Sequence, residues 1–407
     1  MKRLIALVLA AVIMLSLVGC TQTGPQGDLM QGIKAYRAQP PQDKQSTANA
    51  LTDFSAQLFA NCAGQENIMV SPVSVLYALG MTANGADSHT LAEFESLFGA
   101  DINEVNCWLK MYKDSLKNGL HMANAIWFRE NGFTAREEFL QTNATYYNAG
   151  AYSAPFDDST VKDINSFVKE NTGGQIDKII DRIEPSTVMF LLNAISFDSQ
   201  WAVKYRETQI NEDRFAKYDG TQQIVSMMFS EEDIHLQDEN TNGFMKDYKG
   251  GNYRFVALLP DEDVDIIEYA RSLTGEKLTN LLNNPTGRKA SVMMPEFKTE
   301  YFVQLADILP AMGLETAFDP YAADFTNLGT ADENLYISSV LHKTTITVDR
   351  AGTKAAAVTM VSADEAAAEP VEDIPARVHL DRPFIYMIVD TEHSLPLFMG
   401  MVLEVTE

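Results

Sequence analysis

Cysteine and histidine are scarce in this sequence. Its 407 residues include three cysteines and six histidines, and neither a CxxC nor an HExxH spacing occurs. So few thiol and imidazole groups exclude a disulfide-built scaffold, and no metal or other cofactor is expected. Walker A, GxGxxG, GxSxG and EF-hand motifs are missing as well. No catalytic residue therefore stands out, and the chain is not expected to be an enzyme.

Basic residues are also few. Lys and Arg number 31 against 56 Asp and Glu, which gives a net charge of −25. So acidic a protein is not expected to bind nucleic acid through general electrostatics. The acidic runs 157–158 and 231–233 are interpreted as solvated loop charges. With 46% hydrophobic and 21% charged residues, the chain has the composition of a folded protein with a large core.

The longest apolar run lies at the N-terminus. Lys2 and Arg3 precede a mostly apolar stretch, 4–18, which is short for a membrane span and typical of a signal peptide. The stretch ends in LVGC at Cys20, which resembles the bacterial lipobox, where the cysteine is lipidated and becomes the new N-terminus. Residues 1–19 are therefore predicted to be a lipoprotein signal peptide. The protein would be exported and anchored through Cys20 to the outer face of a bacterial membrane.

Residues 20–47 combine Gly, Pro, Gln, Asp and Ser with scattered apolar residues. This composition predicts a flexible tether, and about 27 such residues have a typical reach of roughly 25–30 Å. The folded domain is predicted to occupy residues 48–407.

The hydrophobic period changes along the folded part. Leu51, Phe54 and Leu58 share a helix face, Ser71-Pro72 is typical of a helix start, and Thr134 to Glu137 has the form of a capping box. Strands are predicted later in the chain, at 188–197, 253–259, 290–302, 335–348 and 384–389. Helices followed by strands without βαβ alternation indicate an α+β fold with large mixed sheets.

Small residues dominate one segment that follows a predicted strand. Residues 352–368 read GTKAAAVTMVSADEAAA. Thr353, Ala355, Ala357 and Thr359 lie on one side of a period-two pattern, so they would fit beneath neighbouring strands without clashing. Because alanine runs normally favour helices, a short surface helix or a loop is the other interpretation.

Several separated motifs resemble those of the serpins, a family of protease inhibitors, and they occur in the family's order. The matching stretches are 67–74, 123–128, 164–176, 192–201, 342–343, 352–357, 381–384 and 397–400. The resemblance runs from about residue 48 to 405. It implies one domain with three β-sheets and about nine helices, a metastable native state and an exposed reactive loop at about 350–376.

The resemblance implies a suicide-substrate inhibitor, which is cleaved once by its target protease. A serine protease, or a papain-like cysteine protease, cuts the reactive loop and is held as an acyl-enzyme. The cleaved loop then inserts into the main sheet and traps the protease. The residues implied as the hinge of this loop are Gly352, Thr353, Ala355, Ala356, Ala357 and Thr359. A non-inhibitory binding protein on the serpin fold is the alternative, and an enzyme on an unrelated fold is the least favoured one.

The length of the inserted strand predicts the bond that is cut. Fourteen residues from Gly352, at about 3.3 Å each, span roughly 46 Å and end at Ala366. Cleavage is therefore predicted between Ala366 and Ala367. Counting back from Pro383 by the family's interval ends nearer Glu372, which leaves a window of 366–372. Because alanine suits small pockets, the expected partner is an elastase-like or subtilisin-like protease, bound by a monomer.

The resemblance also implies a shutter and a breach, the positions that govern opening of the main sheet. They are Ser71, Ser74, Asn193, Trp201 and His342. Apart from Trp201, these residues are expected to cluster under the centre of the sheet, where buried polar groups must pair with one another.

Two further contacts follow from the resemblance. Many serpins carry Glu two residues before the hinge glycine, near a Lys on a neighbouring strand. Here Arg350 and Glu296 occupy those places with both charges reversed, and they are predicted to touch. Cys62 and Cys107 lie on helices that are neighbours in the serpin fold. They either form a disulfide or are two free buried thiols, and the sequence leaves both alternatives open.

Overall fold

The computed structural model describes residues 25, 27–116, 119–353 and 374–406. The predicted signal peptide, Cys20 and the predicted reactive bond at Ala366 and Ala367 lie outside these residues. So do four of the predicted hinge residues, Ala355, Ala356, Ala357 and Thr359.

Eight α-helices lie in the described part of the chain. They are α1 (Lys44–Cys62), α2 (Pro72–Ala83), α3 (Ser88–Phe98), α4 (Ile102–Ser115), α5 (Glu137–Tyr146), α6 (Asp158–Asn171), α7 (Ile266–Arg271) and α8 (Gly275–Asn283). Within that part of the chain, none of the helices combines the length and the apolar character needed to cross a membrane.

The described strands of the first half are fewer than those of the second. They are β1 (Ile68–Val70), β2 (Leu120–Arg129), β3 (Thr134–Ala135), β4 (Gly150–Ala154), β5 (Met189–Phe197) and β6 (Ser199–Gln200). The later strands are β7 (Ile210–Ala216), β8 (Gln222–Glu232), β9 (Ile234–Gln237), β10 (Thr241–Asp247), β11 (Tyr253–Pro260), β12 (Ala290–Pro295), β13 (Phe297–Gln304), β14 (Gly329–Thr330), β15 (Ser339–Asp349), β16 (Gly352–Thr353), β17 (Ala376–His379), β18 (Phe384–Asp390) and β19 (Pro396–Val402).

Three large sheets organise these strands. The main sheet has the order β4-β2-β5-β15-β16-β6, with β13 on the other edge of β15. A six-stranded sheet has the order β1-β19-β18-β11-β10-β9, and a four-stranded sheet the order β17-β12-β8-β7. A ribbon of β3 and β14 completes the set. The predicted α+β architecture with three sheets is confirmed, with eight described helices where about nine were predicted.

Helix α2 fills the space between two sheets. Ser71 caps its first turn by accepting a hydrogen bond from Ser74 N, and Pro72 stands at the first helical position, as predicted. Every residue of α2 is buried, because the helix packs between β5 of the main sheet and β19 of the six-stranded sheet.

Helix α6 crosses the other face of the main sheet. Ile164 and Val168 join a second buried cluster there, which includes Trp127 and Phe190. The main sheet is therefore covered on both faces, and every residue of its central strand β5 is buried.

The N-terminal segment differs from the predicted tether, 20–47. Helix α1 begins at Lys44, and residues 27–30 lie along the edge strand β4. Leu29 N donates to Ala151 O at 2.9 Å, and Ser153 N donates to Gly27 O at 2.9 Å. Leu29, Met30 and Ile33 pack against the core. Burial of these apolar side chains explains why this part of the segment docks instead of remaining free.

Two predicted elements are corrected by the structure. The apolar run 290–302 forms two strands in different sheets, β12 and β13, and the chain passes between the sheets at Glu296. Thr134 does not cap a helix. It pairs with Thr330 in the two-stranded ribbon, and α5 starts after Arg136, which makes no side-chain cap hydrogen bond.

Candidate functional site

Strands β5 and β15 meet in a parallel seam at the centre of the main sheet. Their pairing runs from Phe190 opposite Ser339 to Ser196 opposite Thr345. Beyond Ser196 and Thr345 the two strands diverge, and β16 lies between β15 and β6, antiparallel to both. The first two predicted hinge residues, Gly352 and Thr353, thus already occupy the place of an additional strand.

Close packing holds the hinge in this place. A Cβ added to Gly352 would lie 2.3 Å from the carbonyl oxygen of Ser199, so only glycine fits there. Thr353 is fully buried, and its hydroxyl is hydrogen-bonded to the hydroxyl of Tyr248. The small side chain predicted at this position is therefore needed for its burial between the strands.

The predicted breach residue Trp201 holds the turn before the hinge. Its Nε1 donates to Asp349 O at 2.7 Å, and its backbone N donates to Ala351 O at 3.0 Å. Tyr205 N donates to Arg350 O at 3.1 Å. The segment 201–205 is therefore the support on which the turn 349–351 rests.

The predicted shutter cluster lies beneath the seam and joins its two strands. His342 of β15 bonds through Nδ1 to Asn193 Oδ1 of β5, and its Nε2 accepts from Ser71 N at 3.0 Å. Because Nε2 accepts, the proton of the neutral ring sits on Nδ1. His342 is completely buried, and this burial lowers its pKa to about 3.

The rest of the cluster ties the seam to its surroundings. Asn193 Nδ2 donates to Ser74 O at 2.5 Å and to Asn124 Oδ1 at 2.7 Å. Ser71 Oγ donates to Leu397 O at 2.6 Å. The four predicted residues are brought together, and Asn124 joins them. Its place directly opposite Asn193 in the β2–β5 pairing could be found only once that register was known.

The predicted contact between Arg350 and Glu296 is present. Arg350 Nε and Nη2 donate to the two carboxylate oxygens at 3.1 and 3.3 Å, and Arg350 N donates to Oε1 at 3.1 Å. Burial raises the pKa of Glu296, but the hydrogen bonds from Arg350 and Ser226 outweigh this effect and hold the pKa below its usual value. The pair spans from the hinge turn to the break between β12 and β13.

A family model described as "Serpin (serine protease inhibitor)" matches residues 49–405. The chain belongs to the serpin family. An uncharacterized serpin-like protein of Thermococcus kodakarensis is 28% identical to it, with 87% of this chain and 85% of that protein covered. Human neuroserpin is 26% identical, with 87% of this chain and 90% of neuroserpin covered.

Solved serpin structures share the fold. The native state of the thermophilic serpin tengpin is 43% identical and covers 93% of this chain and 99% of that one, with a TM-score of 0.89. The latent state of tengpin is 41% identical and covers 90% and 100%, with a TM-score of 0.80. The seam between β5 and β15 is therefore part of a serpin main sheet.

The two described cysteines of this serpin are both free and buried. Different residues lie beside the two thiols. Cys107 on α4 has Tyr146 of α5 beside it, whereas Cys62 at the end of α1 has Tyr301 of β13 near it. Burial raises the pKa of both thiols, that of Cys62 to about 12. Of the two alternatives, the structure has the free thiols.

Proposed function

We propose that this serpin is a suicide-substrate inhibitor of serine proteases, and also of papain-like cysteine proteases. The observation that carries the proposal is the position of Gly352 and Thr353 between β15 and β6. After cleavage, the rest of the loop would continue this strand down the seam between β5 and β15. The acylated protease would be carried along before water releases it.

Insertion has a physical driving force in this geometry. The parallel seam β5–β15 would be replaced by two antiparallel pairs, one on each side of the new strand. Each added ladder hydrogen bond contributes roughly 0.5–1.5 kcal/mol net, so a dozen of them release on the order of ten kcal/mol. The shutter contact between His342 and Asn193 opposes this change, because it must break when the strands separate.

The similarity to tengpin supports the proposal that the native state is not the only conformation that this chain can adopt. Tengpin has been solved in a native and in a latent state, and this serpin has the higher TM-score with the native one. A further solved structure is described as a loop C-sheet serpin polymer, and it is 39% identical to this chain over 92% of it, with a TM-score of 0.79. More than one arrangement of the fold is thus known among similar serpins.

The target and the location are part of the proposal. Cleavage between Ala366 and Ala367 presents a small side chain, which suits elastase-like or subtilisin-like proteases. Export and lipidation at Cys20 would place the inhibitor, as a monomer, on the outer face of a bacterial membrane. Both rest on residues that the sequence alone supplies.

A denaturing gel tests the proposal. The domain without its signal peptide is mixed with elastase-, trypsin-, subtilisin- and papain-like proteases, and the inhibitory function predicts a boiling-stable complex with at least one of them. Each protease with its nucleophile replaced is the control, and it should give no complex. Cleavage of the loop by every protease without any complex would contradict the proposal and favour a non-inhibitory binding protein.

A further inference from the structure

A lysine and a glutamate form a buried ion pair behind the hinge, where the four-stranded and six-stranded sheets meet. Lys246 Nζ on β10 lies 2.7 Å from Glu232 Oε1 at the end of β8, and the two side chains are only 4% and 10% exposed. Such a pair contributes little net stability compared with apolar side chains of similar volume. Its position is therefore more informative than its energy.

The pair fixes two aromatic rings. The Lys246 ammonium lies 4.5 Å from the ring centre of Tyr205 and 5.5 Å from that of Trp201. Glu232 accepts a hydrogen bond from Ser230 Oγ at 2.6 Å, and the same hydroxyl lies 3.2 Å from Tyr205 Oη. Both members of the pair thus reach the segment 201–205.

This segment supports the hinge turn. Trp201 and Tyr205 are the residues whose backbone and ring N–H groups bond to the carbonyl groups of the turn 349–351. Tyr248, which stacks on Trp201 at 4.6 Å, bonds to the hydroxyl of Thr353. The ion pair is therefore separated from the inserted hinge residues by a single layer of aromatic side chains.

We propose that Lys246 and Glu232 are positioning residues for loop insertion. They hold the segment 201–205 where it keeps Gly352 and Thr353 between β15 and β6. The inference rests on the proposed inhibitory function, since it assigns the pair to the first step of that mechanism. Without the pair, the rings are free to shift, the hinge undocks more often, and insertion starts more slowly.

Hydrogen exchange measured by mass spectrometry on the native protein tests the docking directly. The variant is Lys246→Met with Glu232→Met, which removes both charges and leaves none buried without a partner. Exchange in the peptide spanning 349–353 should become faster by about tenfold or more, while peptides from β18 exchange as in the wild type. Unchanged exchange at the hinge, or an equal increase throughout the protein, would overturn the proposal.

A neighbouring pair supplies the matched control. Lys289, the residue before β12, lies 2.8 Å from Glu231 of β8, and both side chains are more than half exposed. Lys289→Met with Glu231→Met should leave exchange at the hinge unchanged. An acceleration equal to that of the buried double variant would mean that any charge loss on this sheet loosens the hinge, and it would refute the specific role.

A milder variant covers the case in which the double variant does not fold. Ser230→Ala keeps the ion pair and deletes the hydroxyl between Glu232 and Tyr205, so a smaller acceleration of the same peptide is expected. If it has no effect, the positioning role is refuted.

The two proposals can fail separately. Hydrogen exchange needs no protease, so a hinge effect in a protein that traps no protease supports the positioning of the hinge and refutes inhibition. If the wild type traps a protease, the buried double variant should consume more inhibitor per protease trapped. If the wild type and the buried double variant consume equal amounts of inhibitor per protease trapped, the role of the pair in insertion is overturned.

Discussion

Acid should weaken the shutter through a single buried histidine. The pKa of His342 is lowered from its ordinary value of 6.5 to about 3 by complete burial. Below pH 6.5 the unfolded chain binds a proton at this residue, whereas the native protein does not bind it until about pH 3. Stability is therefore present above pH 6.5 and is lost as the pH falls, by about 1.4 kcal/mol per pH unit. Between pH 6.5 and 4.5 the loss is about 2 kcal/mol.

A difference between two proteins isolates this proton. Burial also lowers the pKa of His235 and His379, whereas the hydrogen bond to Asp390 raises that of His393, so the wild-type profile is a sum of several groups. His342→Gln places a side chain that does not titrate at the same site. Urea unfolding gives the free energy of unfolding of both proteins, and the wild type should lose about 2 kcal/mol relative to the variant between pH 6.5 and 4.5.

The control is an exposed histidine on a neighbouring strand. His121→Gln on β2 makes the same chemical change outside the shutter, so it shows what the substitution itself does to stability. If the profile of His342→Gln is parallel to that of the wild type, His342 does not carry the pH dependence, and the reasoning from burial is refuted.

Removing the imidazole altogether should loosen the seam. His342→Ala leaves Ser71 N–H and Asn193 Oδ1 without partners, at about 1–3 kcal/mol each, so a loss of about 2–6 kcal/mol is expected. Spontaneous loop insertion or polymerisation should then increase, and a native gel with a melting curve measures both. Unchanged melting and no polymers would count against a shutter role.

Three further results are expected. Arg350→Glu should loosen the hinge, and adding Glu296→Lys should restore inhibition. If the effects of the two single substitutions simply add, the residues are not coupled. The partly exposed pair itself contributes only about 0–1 kcal/mol to stability. Mass spectrometry of the peptide released by the target protease should place the cut at Ala366–Ala367, and a cut at Arg377 would exclude this assignment. Thiol titration of the unfolded, unreduced domain lacking Cys20 should find two reactive groups, Cys62 and Cys107, whereas none would indicate a disulfide.

Local chemistry made part of this structure predictable from the sequence. The Ser71-Pro72 pair marked the start of α2, because a capping hydroxyl and a proline fit only the first turn. The apolar run before Trp201 became β5, a strand buried on both faces. The reversed charges at Arg350 and Glu296 predicted their contact, since a family position that changes sign needs a partner that changes with it.

Contacts between residues far apart in the sequence explain the burial that the sequence analysis missed. Glu232 belongs to an acidic run that was interpreted as solvated loop charge, but it is buried against Lys246 of another sheet. Asp157, in the other acidic run, is exposed as interpreted, and it caps α6 through local contacts by accepting from Ser159 N and Thr160 N. A buried charged residue cannot be recognised from the sequence until its partner is known, and the order of the strands identifies that partner.

The docked N-terminal segment escaped prediction for a related reason. Its few apolar residues, Leu29, Met30 and Ile33, are too few to predict a helix or a strand. They become ordered because β4 offers a free edge and an apolar surface, and neither feature can be read from the segment itself.

The structure of the serpin after cleavage of its reactive loop tests the central claim most directly. The account predicts that the chain following Thr353 forms a new strand between β5 and β15, antiparallel to both, and that His342 and Asn193 are no longer in contact. The register of Gly352 and Thr353 with β6 and β15 should be retained. A cleaved protein in which β5 and β15 still pair from Phe190 to Ser196, with the cut loop outside the sheet, would contradict it.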